Sequence, residues 1–262
     1  MNLNFQKYQG TGNDFIIVNN LHGDWDNLDD GLINFLCDRN FGIGGDGLIK
    51  INKSKDFDFE MDYYNSDGTK SFCGNGARCA VTFVKENIIE KNQYIFSAID
   101  GVHKASISNN LVSLKMSNAI CNFVQNGDHI LNTGSPHYVR YVDALDNLDV
   151  FQEGRKIRFS ESFKSEGINV NFVERLSSHS IAIRTYERGV EDETLSCGTG
   201  ATASAIVNAL VEDLFGSQSI KVGVKGGELE VAFNRISQSE FEDISLIGPA
   251  LKVFEGIIDL KK

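Results

Sequence analysis

Positive charge is scarce in this chain. Lysine and arginine total 25 against 36 aspartates and glutamates, a formal net charge of −11 over 262 residues. No Lys/Arg run reverses the balance locally, so a phosphate backbone or an anionic membrane would be repelled, and neither nucleic acid nor membrane is expected as a partner. Long hydrophobic runs are missing too. No stretch approaches the ~18 uninterrupted apolar residues of a membrane-spanning helix, and Met1 to Lys7 lack the basic and apolar regions of a secretory signal. A cytoplasmic protein is expected. The five cysteines (37, 73, 79, 121 and 197) form an odd count without the dense spacing of a disulfide framework, which predicts free thiols. Metal-ligand spacing is lacking as well: there is no His-x-x-x-His and no Cys-x-x-Cys, and Cys73 and Cys79, six apart on a helix, point to different faces. No metal and no other cofactor is expected.

What the chain does have is a repeated motif. Cys73-Gly74-Asn75-Gly76-Ala77 and Cys197-Gly198-Thr199-Gly200-Ala201 both read Cys-Gly-x-Gly-Ala, and each opens a run of small and apolar residues without proline. This is the pattern of a tight loop entering a buried helix. A cysteine at that junction meets the positive end of the helix dipole and backbone N–H groups outside the helical ladder, conditions that lower a thiol pKa. The motifs lie 197 − 73 = 124 residues apart, close to half the chain. The length suits two domains better than one core. We therefore expect a duplication with a cleft between the halves, split near residues 117–125 into 1–116 and 117–249.

The remaining patterns fit an α+β fold. Strands are predicted around Phe5 to Tyr8, Phe15 to Val18, Phe57 to Tyr64, Tyr94 to Ala98, Val102 to Ser108 and Val112 to Met116, with the last two joined at Asn109-Asn110. Others follow at Tyr138 to Val142, Ile168 to Val173, Ile181 to Tyr186, Ile220 to Val224, Glu228 to Phe233 and Val253 to Ile258. Helices are predicted over Leu28 to Cys37, over Asn75 to Glu86 and after Cys197. Many strands and few helices in each half point to two pseudo-symmetric domains, each a curled mixed or antiparallel sheet, a partly open barrel, around a central helix.

Several polar residues flank the thiols. Asn13, in Gly10-Thr11-Gly12-Asn13-Asp14, reads locally as hairpin turn chemistry and functionally as an amide for a polar ligand. Residues 38–47 form a loop richer in glycine than a connection requires. Asn65 sits in a turn just ahead of Cys73, and His137 follows a polar loop. The acids 191–193 read as an N-terminal helix preference for negative charge, whereas Glu187 and Arg188, at a strand end ten and nine residues before Cys197 (197 − 187 and 197 − 188), read as site residues.

Two such helix starts facing each other would bind a carboxylate between them. One thiolate could then remove the α-hydrogen while the opposite thiol delivers a proton, with the N–H groups stabilising the enolate-like charge. His137 and Glu187 are the candidates for biasing which sulfur is ionised, in what would be a coupled titration.

These segments, with Asp38-Arg39-Asn40-Phe41-Gly42-Ile43-Gly44, Cys79, Glu187-Arg188-Gly189 and the terminal Gly248-Pro249-Ala250-Leu251-Lys252, resemble the diaminopimelate epimerase family along essentially the whole chain. The resemblance implies a cofactor-independent epimerase converting LL-diaminopimelate to the meso form, on the route to lysine and peptidoglycan, with Cys73 and Cys197 as the two bases. It implies that the reacting carboxylate meets Gly74, Asn75, Gly198 and Thr199, and that the distal end meets Asn13, Asn65, Asn169, Glu187 and Arg188. It also implies a homodimer and a terminal strand, within 250–262, that returns to the first domain. Two departures stand out. Ser135 occupies the place of a common asparagine, offering a shorter hydroxyl that can still donate a hydrogen bond, directly or through a water, and Gly47 stands where some members carry a glutamine. The alternative among enzymes is a racemase of the same fold acting on proline, hydroxyproline or another amino acid, though a small cyclic substrate would leave Arg188 and the amides unpaired; a thiol redox or sensor protein is the reading from another class.

Overall fold

A computed structural model describes residues 2–121, 123–125 and 127–260. The chain divides into two compact units, Met1–Leu114 with Gly248–Lys262 and Lys115–Ile247. In chain order the elements are β1 (Asn2–Gly10), β2 (Asn13–Asn20), α1 (Asp30–Cys37), β3 (Gly47–Asn52), β4 (Phe59–Asn65), α2 (Gly74–Asn87), β5 (Gln93–Ala98), β6 (Gly101–Ser108) and β7 (Leu111–Lys115). They continue as β8 (Ala119–Ile120), β9 (Phe123–Gln125), β10 (Asp128–Asn132), β11 (Pro136–Tyr141), α3 (Val150–Arg158), β12 (Asn169–Ser177), β13 (Ser180–Glu187), β14 (Asp192–Thr194) and α4 (Gly198–Val211). The last strands are β15 (Gly216–Val224), β16 (Gly227–Arg235), β17 (Glu240–Pro249) and β18 (Leu251–Asp259).

Each unit repeats one sheet plan. In the first, neighbours run β18-β1-β2-β3-β4-β5-β6-β7, paired antiparallel, antiparallel, parallel, antiparallel, parallel, antiparallel and antiparallel. In the second, β9-β10-β11-β12-β13-β15-β16-β17 gives the same series of senses. A parallel pair needs a crossover, and the helices supply it at matching places: α1 and α3 join the first parallel pair of each sheet, α2 and α4 the second. The curl is legible in what the longer helices touch. α2 meets β1, β2, β3, β4, β6 and β18, and α4 meets β10, β11, β12, β13, β15 and β16, so each sheet wraps round its helix.

Burial on all sides explains the composition of these helices. α2 is buried continuously from Asn75 to Val84, and α4 at Gly198 and from Gly200 to Ala209. Such helices lose the polar stripe of a surface helix. In the second unit Ala201, Ala203, Ala205, Ile206, Val207 and Ala209 of α4 pack with Val139, Val173, Ile183, Ile220 and Val231 of the sheet.

The structure also contains elements that the sequence pattern hides. β3 is buried along Gly47–Ile51, even at Lys50, so its apolar residues show no alternation. α3 is capped by the Asp149 carboxylate, which accepts from Gln152 N at 3.0 Å. Its central Gly154 obscures the helical pattern, yet a Cβ there would stand 2.4 Å from Tyr186 Cβ. β10, β14 and β17 were likewise not anticipated. The acids ahead of α4 do not serve its N-terminus: Glu191 pairs with Arg158 (3.1 Å), and Glu193 pairs with Arg184 (2.6 Å) and Lys225 (3.2 Å).

Candidate active site

Both motif cysteines are helix N-caps with nearly the same backbone. Cys73 has φ −133° and ψ 117°, Cys197 φ −116° and ψ 109°, and neither side chain caps its helix. The first helical bonds run from Ala77 N to Cys73 O (2.8 Å) and from Ala201 N to Cys197 O (2.9 Å). The intervening N–H groups, on Gly74, Asn75 and Gly76 and on Gly198, Thr199 and Gly200, therefore lie outside the helical ladder at the positive dipole end. Neither first turn carries an acid. Such a terminus suits a carboxylate. The other thiols lie in different surroundings: burial pushes Cys37 and Cys121 up to about 11 and Cys79 further still, which keeps all three protonated at neutral pH.

Around Cys73 the polar partners come from β2 and the glycine-rich loop. Asn13, first residue of β2, donates its Nδ2 to Asp46 Oδ2 at 2.5 Å. Its carbonyl oxygen is thereby turned inward, where it accepts from the Cys73 thiol (3.6 Å) and from Asn75 Nδ2 (3.2 Å). Asp46 is anchored in turn by Arg39 (2.8 Å), which also bridges to Asp14 (2.7 Å), itself paired with the buried Lys7 (2.7 Å). Burial alone would raise the Asp14 carboxyl, but bonds from Arg39 and Lys7 outweigh it and hold it at about 2. Phe72 stacks on His103 with centroids 4.0 Å apart, steadying the approach to Cys73. Asn65 ends β4 and binds its own turn, donating to Thr69 O (3.1 Å) and Oγ1 (3.0 Å) and accepting from Ser71 Oγ (3.3 Å).

Around Cys197 the arrangement is a relay of neutral groups. Asn171 Nδ2 donates to Tyr138 O (3.0 Å), which can only accept, and to His137 Nδ1 (3.1 Å); its Oδ1 accepts from Thr185 Oγ1 (3.0 Å). With Nδ1 accepting, the ring proton sits on Nε2 and is donated to Thr199 Oγ1 at 2.9 Å. The Thr199 hydroxyl is left to donate to Cys197 Sγ, 3.6 Å away. Burial, aided by the Arg188 charge, lowers the His137 pKa to about 3, so the ring is neutral at physiological pH. Gly200 is required by this relay, because a Cβ there would stand 2.4 Å from Asn171 Oδ1 and 3.3 Å from Cys197 Sγ.

The remaining sequence candidates of this unit lie at strand ends. Asn169 opens β12, donating to Ser135 Oγ (2.8 Å) and Pro136 O (3.2 Å), while its oxygen accepts from Arg188 N (2.9 Å). Ser135 thus meets a protein amide. Arg188 is exposed, donates to Glu166 O (2.9 Å) and passes beside Gly167, where a Cβ would stand 2.5 Å from its Cδ. Glu187, last in β13, accepts from Thr194 Oγ1 at 2.5 Å. Sequence reasoning missed Asp46, Arg39, Asn171 and Thr185. Asn171 had a signal: it lies two residues from Asn169, on the same face, in the run Ile168 to Val173 that is otherwise apolar. Among the described residues no cluster of His, Cys, Asp and Glu could hold a metal ion.

With the geometry in hand, known proteins can be set beside it. Solved structures with similar folds include a PhzF-family phenazine biosynthesis protein from Bacillus anthracis (TM-score 0.77, 15% identity, covering 99% of this chain and 100% of that one). Another is a hydroxyproline epimerase from Agrobacterium vitis with bound trans-4-hydroxy-L-proline (TM-score 0.72, 13% identity, 100% and 93% covered). Closer in sequence are the diaminopimelate epimerase of Flavobacterium psychrophilum, 51% identical over 254 residues and covering 96% of this chain and 98% of the relative, and that of Chlorobaculum tepidum, 41% identical over 261 residues with 96% and 99% covered. The profile described as diaminopimelate epimerase matches residues 5–120 and 129–253. By sequence over nearly its full length, as by the paired cysteine-capped helices of its fold, the chain belongs to the diaminopimelate epimerase family.

Proposed function

We propose that the chain is a cofactor-independent epimerase interconverting LL- and meso-diaminopimelate, with Cys73 and Cys197 as its two acid–base groups. The observation that carries this reading is the pair of N-cap cysteines, each followed by N–H groups outside the helical ladder, in a member of this family. In the reaction the substrate carboxylate takes hydrogen bonds from the N–H groups of Gly74, Asn75, Gly198 and Thr199. One thiolate accepts the α-hydrogen as a proton, the electron pair delocalises onto the carboxylate, and the other thiol donates its proton to the opposite face of the α-carbon. Charge and protons balance, and the sulfurs exchange states in each turnover. A neutral His137 takes no proton itself and acts through Thr199 on Cys197, while Glu187 orients the Thr194 segment just ahead of that thiol. Arg188, Asn13, Asn65 and Asn169 bind the distal amino acid end, with Arg188 facing its carboxylate. The reading also includes a cytoplasmic homodimer, which the family resemblance supports.

The test is solvent deuterium incorporation at the α-carbon of LL-diaminopimelate in reducing buffer, without pyridoxal phosphate or added metal. Exchange accompanied by the meso isomer is expected, and proline and hydroxyproline should not exchange. No exchange with diaminopimelate overturns the reading.

A further inference from the structure

The fifth residue after each cysteine differs between the two motifs. After Cys197 it is Thr202, a buried hydroxyl that donates back to Gly198 O at 3.0 Å. After Cys73 it is Arg78, whose side chain is wholly buried. Arg78 Nη2 donates to Thr11 Oγ1 at 3.4 Å, and its Nε and Nη1 have no hydrogen-bond partner among the described residues. No carboxylate forms an ion pair with it among the described residues, although the unit has acids nearby: Asp14 and Asp46 are held by Lys7 and Arg39, and Asp62 by Lys50 and Lys70. A guanidinium cannot shed its proton to escape burial. A buried charge without a counter-ion is costly, so its position calls for an anion within reach.

The guanidinium reaches Thr11, two residues from the Asn13 whose carbonyl meets Cys73, and the thiols of its own helix are Cys79 and the N-cap Cys73. Cys79 is fully buried, and burial holds its thiol protonated. Cys73 is half-buried at the positive end of α2, where a negative charge is favoured. Building on the reading of Cys73 as an epimerase base, we propose that Arg78 is a positioning residue: the buried counter-charge that stabilises the Cys73 thiolate. Asn13 Oδ1 suits the protonated state of the same sulfur, so this half of the molecule provides for both forms that a two-base cycle must visit. Cys197 is served instead by the Thr199 hydroxyl, without a buried cation on its own helix.

The test is the iodoacetamide alkylation rate of each cysteine at neutral pH, read by mass spectrometry, in the parent chain, Arg78→Met and Arg78→Lys. Replacing an unpaired buried cation by an apolar chain of similar length is tolerated by folds. Arg78→Met should slow Cys73 about tenfold, the equivalent of one pKa unit, and leave Cys197 within about twofold; Arg78→Lys should restore most of the Cys73 rate. An unchanged Cys73 rate, or equal slowing of both thiols, overturns the proposal. Should Arg78→Met not fold, Cys197→Ser retains Arg78 and allows Cys73 to be titrated by thiolate absorbance, with Cys37, Cys79 and Cys121 ionising only at much higher pH. A Cys73 midpoint that stays the same when Arg78→Gln is added to Cys197→Ser overturns the proposal, and one that rises supports it. Alkylation rates remain readable if diaminopimelate fails to exchange deuterium, so the two readings fail separately.

Discussion

The two helix starts share a backbone and differ in how their sulfurs are supported. At Cys73 the support is ionic: a chain of charges from Lys7 through Asp14 and Arg39 to Asp46 turns the Asn13 carbonyl toward the thiol, and a buried Arg78 lies behind. At Cys197 it is a line of neutral groups, Asn171, His137 and Thr199, with proton positions dictated by one backbone carbonyl. Both starts keep what the backbone supplies, a dipole end and N–H groups. The side chains diverged, and with them the means of holding a thiol or thiolate.

The largest effect should come from removing either sulfur. Cys73→Ala and Cys197→Ala should each reduce epimerisation by about 10³-fold or more, within the range lost with a positioned acid or base. Near-normal turnover in either variant would mean that the halves are not both needed. A smaller effect separates their supports. Thr199→Val deletes the hydroxyl between His137 and Cys197; it should lower kcat and Cys197 alkylation about tenfold, as expected for losing a hydrogen bond to a charged group, while Cys73 alkylation changes less than about twofold. Equal changes at both sulfurs would erase the distinction.

The last effect concerns stability, which both units lose on acidification, in different pH windows. His137 has a folded pKa of about 3, below its ordinary value, so the unfolded state binds the proton first. Stability from this residue is complete above pH ~6.5 and falls as pH drops, by about 2 kcal/mol at pH ~5. Asp14, held at about 2, contributes stability that is complete above pH ~4 and is lost as pH falls toward ~2. Hydrogen exchange followed by mass spectrometry should therefore show Lys115–Ile247 loosening at higher pH than the other unit. His137→Asn should remove the upper window; simultaneous loosening of both units would contradict the assignment.

The α+β class and the paired motif were legible in the chain because they depend on local facts: glycine spacing, an apolar run without proline and alternation in two-sided strands. Elements with blurred local signals were not. β3 is buried on both faces, and α3 carries a glycine at its centre to clear Tyr186. The candidate residues followed the same division. Cys73, Cys197, Gly74, Asn75, Gly198 and Thr199 lie together by sequence, whereas Asn171 and Asp46 act through partners 34 and 33 residues away.

By itself, then, the sequence determined the two cysteine-capped helices and the family to which they belong, since a Cys-Gly-x-Gly turn into a buried helix is written within a few consecutive residues. Only the tertiary structure decided which groups surround each sulfur. A proton's position depends on which acceptor, donor or charge lies within a few ångströms, and those neighbours come from strands and loops that the fold, not the chain order, brings together.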